Sequence, residues 1–158
     1  MPQTGDCILV SACLLGVNCR YDGRSKAVPE VMTYLQRHHL TPIPVCPEQL
    51  GGLPTPRPAS QFSSGDGCAL LQGRAVLVNT TGEDVSSSFL QGAHQVLAIA
   101  RLCGCSQALL KERSPSCGVH QVWIDGALQP GKGVTAALLQ REGIGIFPET
   151  DLTGDTNR

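Results

Sequence analysis

The chain has 158 residues, 41% hydrophobic and 16% charged, with a formal net charge of −1. That length fits one domain with a real core and no need of disulfide staples. A near-neutral balance supplies no global positive field for nucleic acid or acidic membranes, and aromatic content of 4% argues against recognition of single strands by base stacking.

Cys7-Ile8-Leu9-Val10-Ser11-Ala12 is a short apolar run and predicts a buried strand. A polar loop with glycines follows to Gly23. Pro29 suits an early helix position, and Val31, Met32 and Leu35 make the apolar stripe of a helix reaching about His38. Thr41-Pro42-Ile43-Pro44-Val45 reads as a second strand, although its prolines weaken the pattern. The stretch 47–67 is rich in Pro, Gly and Ser and predicts a long loop. Cys68–Leu71 and Arg74–Val78, separated by Gln72-Gly73, predict a hairpin. Thr81 suits an N-cap for a helix over 83–102 that stops at Gly104. Ala108–Leu110 is the third main strand, and a second hairpin turns at Asp125-Gly126. A helix over 134–141 and a strand over 144–147 complete the order, and the tail from Thr150 reads as polar and frayed. Strands alternating with helices specify an α/β fold: a single-domain, Rossmann-like parallel sheet flanked by helices, with small β-hairpin insertions. One unit is expected over 1–158, with a core at about 7–148 and a polar tail at 150–158.

Eight cysteines are the informative count. The start Met-Pro-Gln-Thr-Gly-Asp lacks a basic n-region. Val10-Ser11-Ala12-Cys13 mimics a lipoprotein cleavage box, but only Ile8-Leu9-Val10 precedes it as an apolar run. No apolar stretch reaches the roughly 18 residues of a membrane span. A cytoplasmic location is expected, where cysteines are more often reduced, metal-bound or catalytic than paired.

Three cysteines share a topological address: Cys13 follows the first strand, Cys46 the second, and Cys117 lies in the loop after the third. Open parallel sheets bind ligands beyond the carboxyl ends of their strands, so these thiols can converge. Thiolates select zinc, copper(I) or iron–sulfur clusters. No C-x₂-C pair of the kind structural zinc sites use is present, and the one close pair is Cys103-Gly104-Cys105. A 4Fe–4S cluster normally takes four cysteines, so three would leave one iron open for Lewis-acid chemistry. Spacing alone leaves metal binding and plain burial evenly matched for the three. Cys7, Cys68, Cys103 and Cys105 read as small buried hydrophobes; Cys19, in the loop with Cys13, is a lesser candidate for a substitute ligand or a group behind the ligands.

Glu48, two residues after Cys46, could act as a general base or simply be a solvated loop residue. Ser114 and Ser116 bracket Pro115 ahead of Cys117, placed either to donate to a substrate or to shape an ordinary turn. Lys111, Arg113, Arg20 and Arg57 could offset an anionic intermediate, or be surface charges. Gly131-Lys132-Gly133 lacks the spacing of a P-loop.

Six segments, taken in order, are similar to the thiouracil desulfidase family: Ser11-Ala12-Cys13-Leu14-Leu15-Gly16, Arg20-Tyr21-Asp22-Gly23, Cys46-Pro47-Glu48, Gly52-Leu53-Pro54-Thr55-Pro56-Arg57, Ser114-Pro115-Ser116-Cys117-Gly118 and Gly133-Val134-Thr135-Ala136-Ala137-Leu138. The resemblance covers about residues 7–148. It implies a non-redox enzyme that converts thiouracil to uracil and sulfide on a 4Fe–4S cluster. The implied ligands are Cys13, Cys46 and Cys117, with a fourth iron taking the substrate's sulfur. It further implies Glu48 as catalytic carboxylate and a catalytic serine at Ser114 or Ser116. The expected partner is a small thiolated pyrimidine, with no membrane and no nucleic acid; the sequence specifies no oligomeric state. Competing readings are desulfuration of thiolated nucleotides or RNA, a non-catalytic zinc or iron–sulfur sensor, and a thiol-redox protein using Cys103 and Cys105.

Overall fold

The computed structural model describes residues 6–156. The first five residues and the last two, read above as a start without a signal and as polar tail, lie outside the described residues. The elements run β1 (Cys7–Ser11), a 3₁₀ turn (Ala12–Leu15), α1 (Pro29–Arg37), β2 (Thr41–Val45), α2 (Pro47–Leu50), β3 (Ser60–Ser64), α3 (Gly67–Leu71), β4 (Val76–Asn79), α4 (Ser86–Cys103), β5 (Gln107–Leu110), β6 (Gln121–Ile124), β7 (Ala127–Pro130), α5 (Val134–Arg141), β8 (Gly145–Pro148) and α6 (Glu149–Thr156).

The main sheet is four-stranded in the order β2-β1-β5-β8 and parallel throughout. Its strands are continuous apolar runs because both faces are covered. Alternation along each strand divides the core. Leu9, Ala108 and Leu110 face α4 and α5, among Phe89, Ala93, Val96, Val134 and Leu138. Ile8, Val10 and Leu109 face α1 and α6, among Val31, Leu35 and Leu152. The chain order reverses between β1 and β5, which makes their carboxyl ends the switch point of the sheet. The prolines of β2 are tolerated because β2 is an edge strand.

A second sheet runs β4-β3-β6-β7. The hairpin expected at Asp125-Gly126 is present as β6–β7. The other expected hairpin is not. Cys68–Leu71 is helical, since the Asp66 carboxylate caps α3 by accepting the Ala69 N–H at 3.2 Å. The true partner of β4 is β3, a strand with one buried apolar residue, Phe62, inside the stretch read as loop. That stretch also holds α2. The long helix starts at Ser86, not 83. Thr81 is no N-cap, because its N–H and that of Glu83 are taken by Asn79 Oδ1 in the preceding turn, at 3.0 and 2.9 Å. The helix ends at Gly104 in the left-handed region (φ 70°), as expected. Beyond Thr150 the chain continues helix α6 instead of fraying. Cys105 is buried, but Cys68 and Cys103 are exposed, against expectation. Among the described residues no helix is long and apolar enough to cross a membrane.

Two glycines set the position of α2. A Cβ on Gly92 of α4 would collide with the Pro47 carbonyl, and one on Gly51 with the Ser88 carbonyl. The backbones of α2 and α4 therefore touch, fixing the segment that carries Cys46 and Glu48. Gly92→Ala is expected to lower stability by about 1–3 kcal/mol through overpacking. Thermal melts should show Tm falling by several degrees, whereas Leu102→Ala, at a side chain 86% exposed, should leave Tm nearly unchanged.

Candidate active site

Cys13 lies in the 3₁₀ turn that ends β1, and Gly16 in the left-handed region (φ 98°) turns the chain away from the sheet. The loop then folds back, with Lys26 N–H donating to Cys13 O at 2.9 Å. Cys46 ends β2 and precedes α2. Cys117 lies in the loop after β5. The three, together with Cys19 and Glu48, line one cavity of about 600 Å³ at the switch point. Convergence of the thiols at neighbouring strand ends is thus present. The Cys46 thiol donates to Cys19 O at 3.6 Å, and Cys19 lines the same cavity, so four cysteines, not three, meet here.

Glu48 is held from two sides. Arg57 Nη2 donates to its Oε2 at 2.9 Å, and the Ser116 hydroxyl donates to its Oε1. The Arg57 and Glu48 side chains are only 6% and 14% exposed, so this is a largely desolvated pair whose partners cannot be removed singly without high cost. The same Arg57 nitrogen donates to Cys19 O at 3.0 Å, and Nη1 donates to Pro54 O at 3.1 Å and Thr55 Oγ1 at 3.0 Å. Cys46 Sγ lies 4.0 Å from Glu48 Oε2.

The two serines differ in place. Ser114 lines the cavity; Ser116 is fully buried behind Glu48. Their hydroxyls are 3.0 Å apart, which makes a continuous path Ser114–Ser116–Glu48. Ser114 Oγ also accepts the N–H groups of Ser116 and Cys117 at 3.2 and 3.1 Å, so it shapes the loop that aims Cys117. Ser116 Oγ lies 3.6 Å from Cys117 Sγ. Arg20, Lys111 and Arg113 reach the cavity wall, but Lys111 Nζ is bound to Glu149 Oε2 at 3.3 Å and Glu112 O at 2.8 Å.

The thiols of Cys19, Cys46 and Cys117 sit in surroundings that favour the neutral form. Cys19 is pushed up to about 11, first by its hydrogen bond with the Cys13 thiol. Cys46 is raised through its contact with Cys19 and by burial. Cys117 rises to about 12 through burial, then the Glu48 charge. A bound metal takes cysteine as thiolate and releases its proton, and all-sulfur donors suit iron–sulfur clusters, zinc or copper(I). Among the described residues no three His, Cys, Asp or Glu side chains are drawn around one metal ion.

The model of the 2-thiouracil desulfurase family matches residues 8–151. The chain belongs to that family. It is 38% identical over 148 residues to the uncharacterized protein YbbK of Bacillus subtilis (strain 168), covering 92% of this chain and 97% of that one. It also matches the solved structure of a 4Fe–4S-dependent thiouracil desulfidase, TudS, with a TM-score of 0.79 and 39% identity over 94% of each chain.

Two groups in this desulfurase-family chain escaped sequence reasoning. Glu112 is 5% exposed, and its carboxylate accepts N–H groups from Arg113, Val119, His120 and Gln121 at 2.8–3.2 Å. Glu149 Oε1 accepts the Glu112 N–H at 2.7 Å. Together they clamp both ends of the loop holding Ser114, Ser116 and Cys117. In sequence Lys111-Glu112-Arg113 looks like a solvated charge run; a buried Glu beside the motif could have been suspected only from the strand preceding it.

Burial opposes the Glu112 charge, but the backbone donors outweigh it and hold the carboxyl below its ordinary value. A lowered folded pKa means the stabilisation is fully present above the unfolded value of roughly 4.3 and is lost as pH falls through the folded one. Glu112→Gln is expected to cost about 1–3 kcal/mol at pH 7. In urea melts, the gap between wild type and variant should narrow as pH drops below about 4.

Proposed function

We propose that this protein removes sulfur from a thiolated pyrimidine, converting thiouracil and water to uracil and hydrogen sulfide without net electron transfer. The reading rests on one observation above all: a half-buried carboxylate with a hydroxyl relay shares a single cavity with converging thiols. Family membership and the likeness to the 4Fe–4S-dependent desulfidase support it. We assign Cys13, Cys46 and Cys117 as ligands of a 4Fe–4S cluster whose fourth iron is open. When bound, the cluster supplies a Lewis acid for the thione sulfur and a site to accept it.

The protein's own groups supply the proton handling. Glu48 is the general base toward water, aimed by Arg57 so that one oxygen stays fixed while the other meets Ser116. Ser114, on the cavity wall, is the hydroxyl that meets the substrate. Ser116 passes protons between Ser114 and Glu48, so both serines act, in series. Arg113, on the cavity wall, is the cation placed to favour the charge that develops as the C–S bond breaks, since Lys111 and Arg20 are paired with Glu149 and Asp22. The whole chain works as one unit in the cytoplasm, where its thiols stay reduced.

Anaerobic reconstitution should yield four irons per chain, a brown chromophore and uracil from thiouracil. Cys117→Ala is expected to lose chromophore and activity together. Glu48→Gln should keep the chromophore and lose turnover by about 100-fold or more. Full turnover in Glu48→Gln would remove the base assignment; an intact chromophore in Cys117→Ala would remove the ligand assignment.

A further inference from the structure

We propose that Trp123 is a substrate-binding residue, the platform on which the flat ring of the pyrimidine stacks; this rests on the desulfidase reading of the cavity. The second sheet has two unlike faces. Phe62, Leu77, Val122 and Ile124 point into the core and are buried. Phe62 is in register with Leu77 on β4 and with Ile124 on β6. Pleating therefore turns Gln61, Val78 and Trp123 to the opposite face, side by side on three adjacent strands. All three line the cavity that holds Cys13, Cys46, Cys117 and Glu48. One wall of the active site is thus the outer face of a sheet, and an indole is its largest group.

That indole stands opposite Leu128 in the β6–β7 register. Trp123 is 46% exposed, and among the described residues it has no ring, cation or hydrogen-bond partner. On an ordinary surface a sheet position of this kind would carry a polar residue, since an exposed apolar group gains nothing from folding. An aromatic ring kept exposed on a wall continuous with reactive groups is a binding surface. The occupant is planar and aromatic, and base-on-aromatic stacking tolerates sulfur or oxygen on the ring, as an enzyme binding both thione and product requires. Stacking also fixes the ring plane, which leaves the exocyclic sulfur free to point along the cavity toward the thiols.

The chain holds a single tryptophan, so its emission reports this wall alone. Titrating the cluster-loaded enzyme with uracil, which does not absorb tryptophan emission, should quench the signal saturably, at the concentrations where uracil inhibits. Trp123→Ala should raise KM for thiouracil about tenfold, with kcat changed far less. Trp123→Phe, which retains a ring, should recover most of that loss, a rescue that a merely structural role would not give. Unchanged emission at saturating uracil, or an unchanged KM in Trp123→Ala beside an active wild type, overturns this inference alone. A loaded wild type without turnover overturns the desulfidase reading, and this inference with it.

Discussion

The buried guanidinium of Arg57 is the constraint on which the site depends. Its two terminal nitrogens reach Glu48, Cys19 O, Pro54 O and Thr55 Oγ1. One side chain thereby joins the loop after β1, the start of α2 and its own Pro-rich segment. A lysine could not replace it, since an ammonium lacks the planar fork that spans these acceptors. The interaction is enforced by burial. With both side chains largely withdrawn from water, neither charge is tolerable without the other. Glu48 then extends the tie to the loop after β5 through Ser116. Three separate chain segments that carry cysteines are locked together by one ion pair and one hydroxyl.

The parts of the fold that were legible in sequence are those governed by local pattern. Apolar runs gave β1 and β5, because a parallel sheet covered on both faces needs them; Gly104 marked the end of α4. From strand order alone, the positions of Cys13, Cys46 and Cys117 followed at the sheet's carboxyl edge, and they do line one cavity. What failed was governed by distant contacts. β3 has a mostly polar sequence and becomes a strand only by pairing with β4 and β6. Cys68–Leu71 is apolar enough for a strand, but the Asp66 cap and the close approach of Gly67 to Gly133 select a helix. Glu112 carries no signature, since its partners are backbone groups brought near by folding, and the pairing of Arg57 with Glu48 joins segments that only folding brings together.

Glycine packing links the core to the chemistry. A Cβ on Gly133 would strike the Ser116 carbonyl carbon and oxygen, and Gly67 packs in turn on Gly133. The N-terminus of α5 can therefore approach the serine–cysteine loop, where Thr135 N–H donates to Ser116 O at 2.8 Å. Gly51 and Gly92 do the same for the segment bearing Cys46 and Glu48. The site's precision comes from helices α4 and α5 pressed directly on the loops. Rigid elements hold reactive groups more exactly than the loops could alone.

The two sheets divide the work of the cavity. The main sheet contributes its carboxyl edge, where strand ends converge and short loops can present thiols, a carboxylate and hydroxyls within a few ångströms. Such an edge offers little flat surface. The second sheet contributes a face instead, because its other face is already satisfied by the core around Phe62 and Leu77. A planar substrate needs both: a surface to define its ring plane, and an edge to act on one exocyclic atom. Strand β3, the element least visible in sequence, is what brings them together, since it places Gln61 beside Trp123 and anchors the second sheet next to the loop that supplies Arg57.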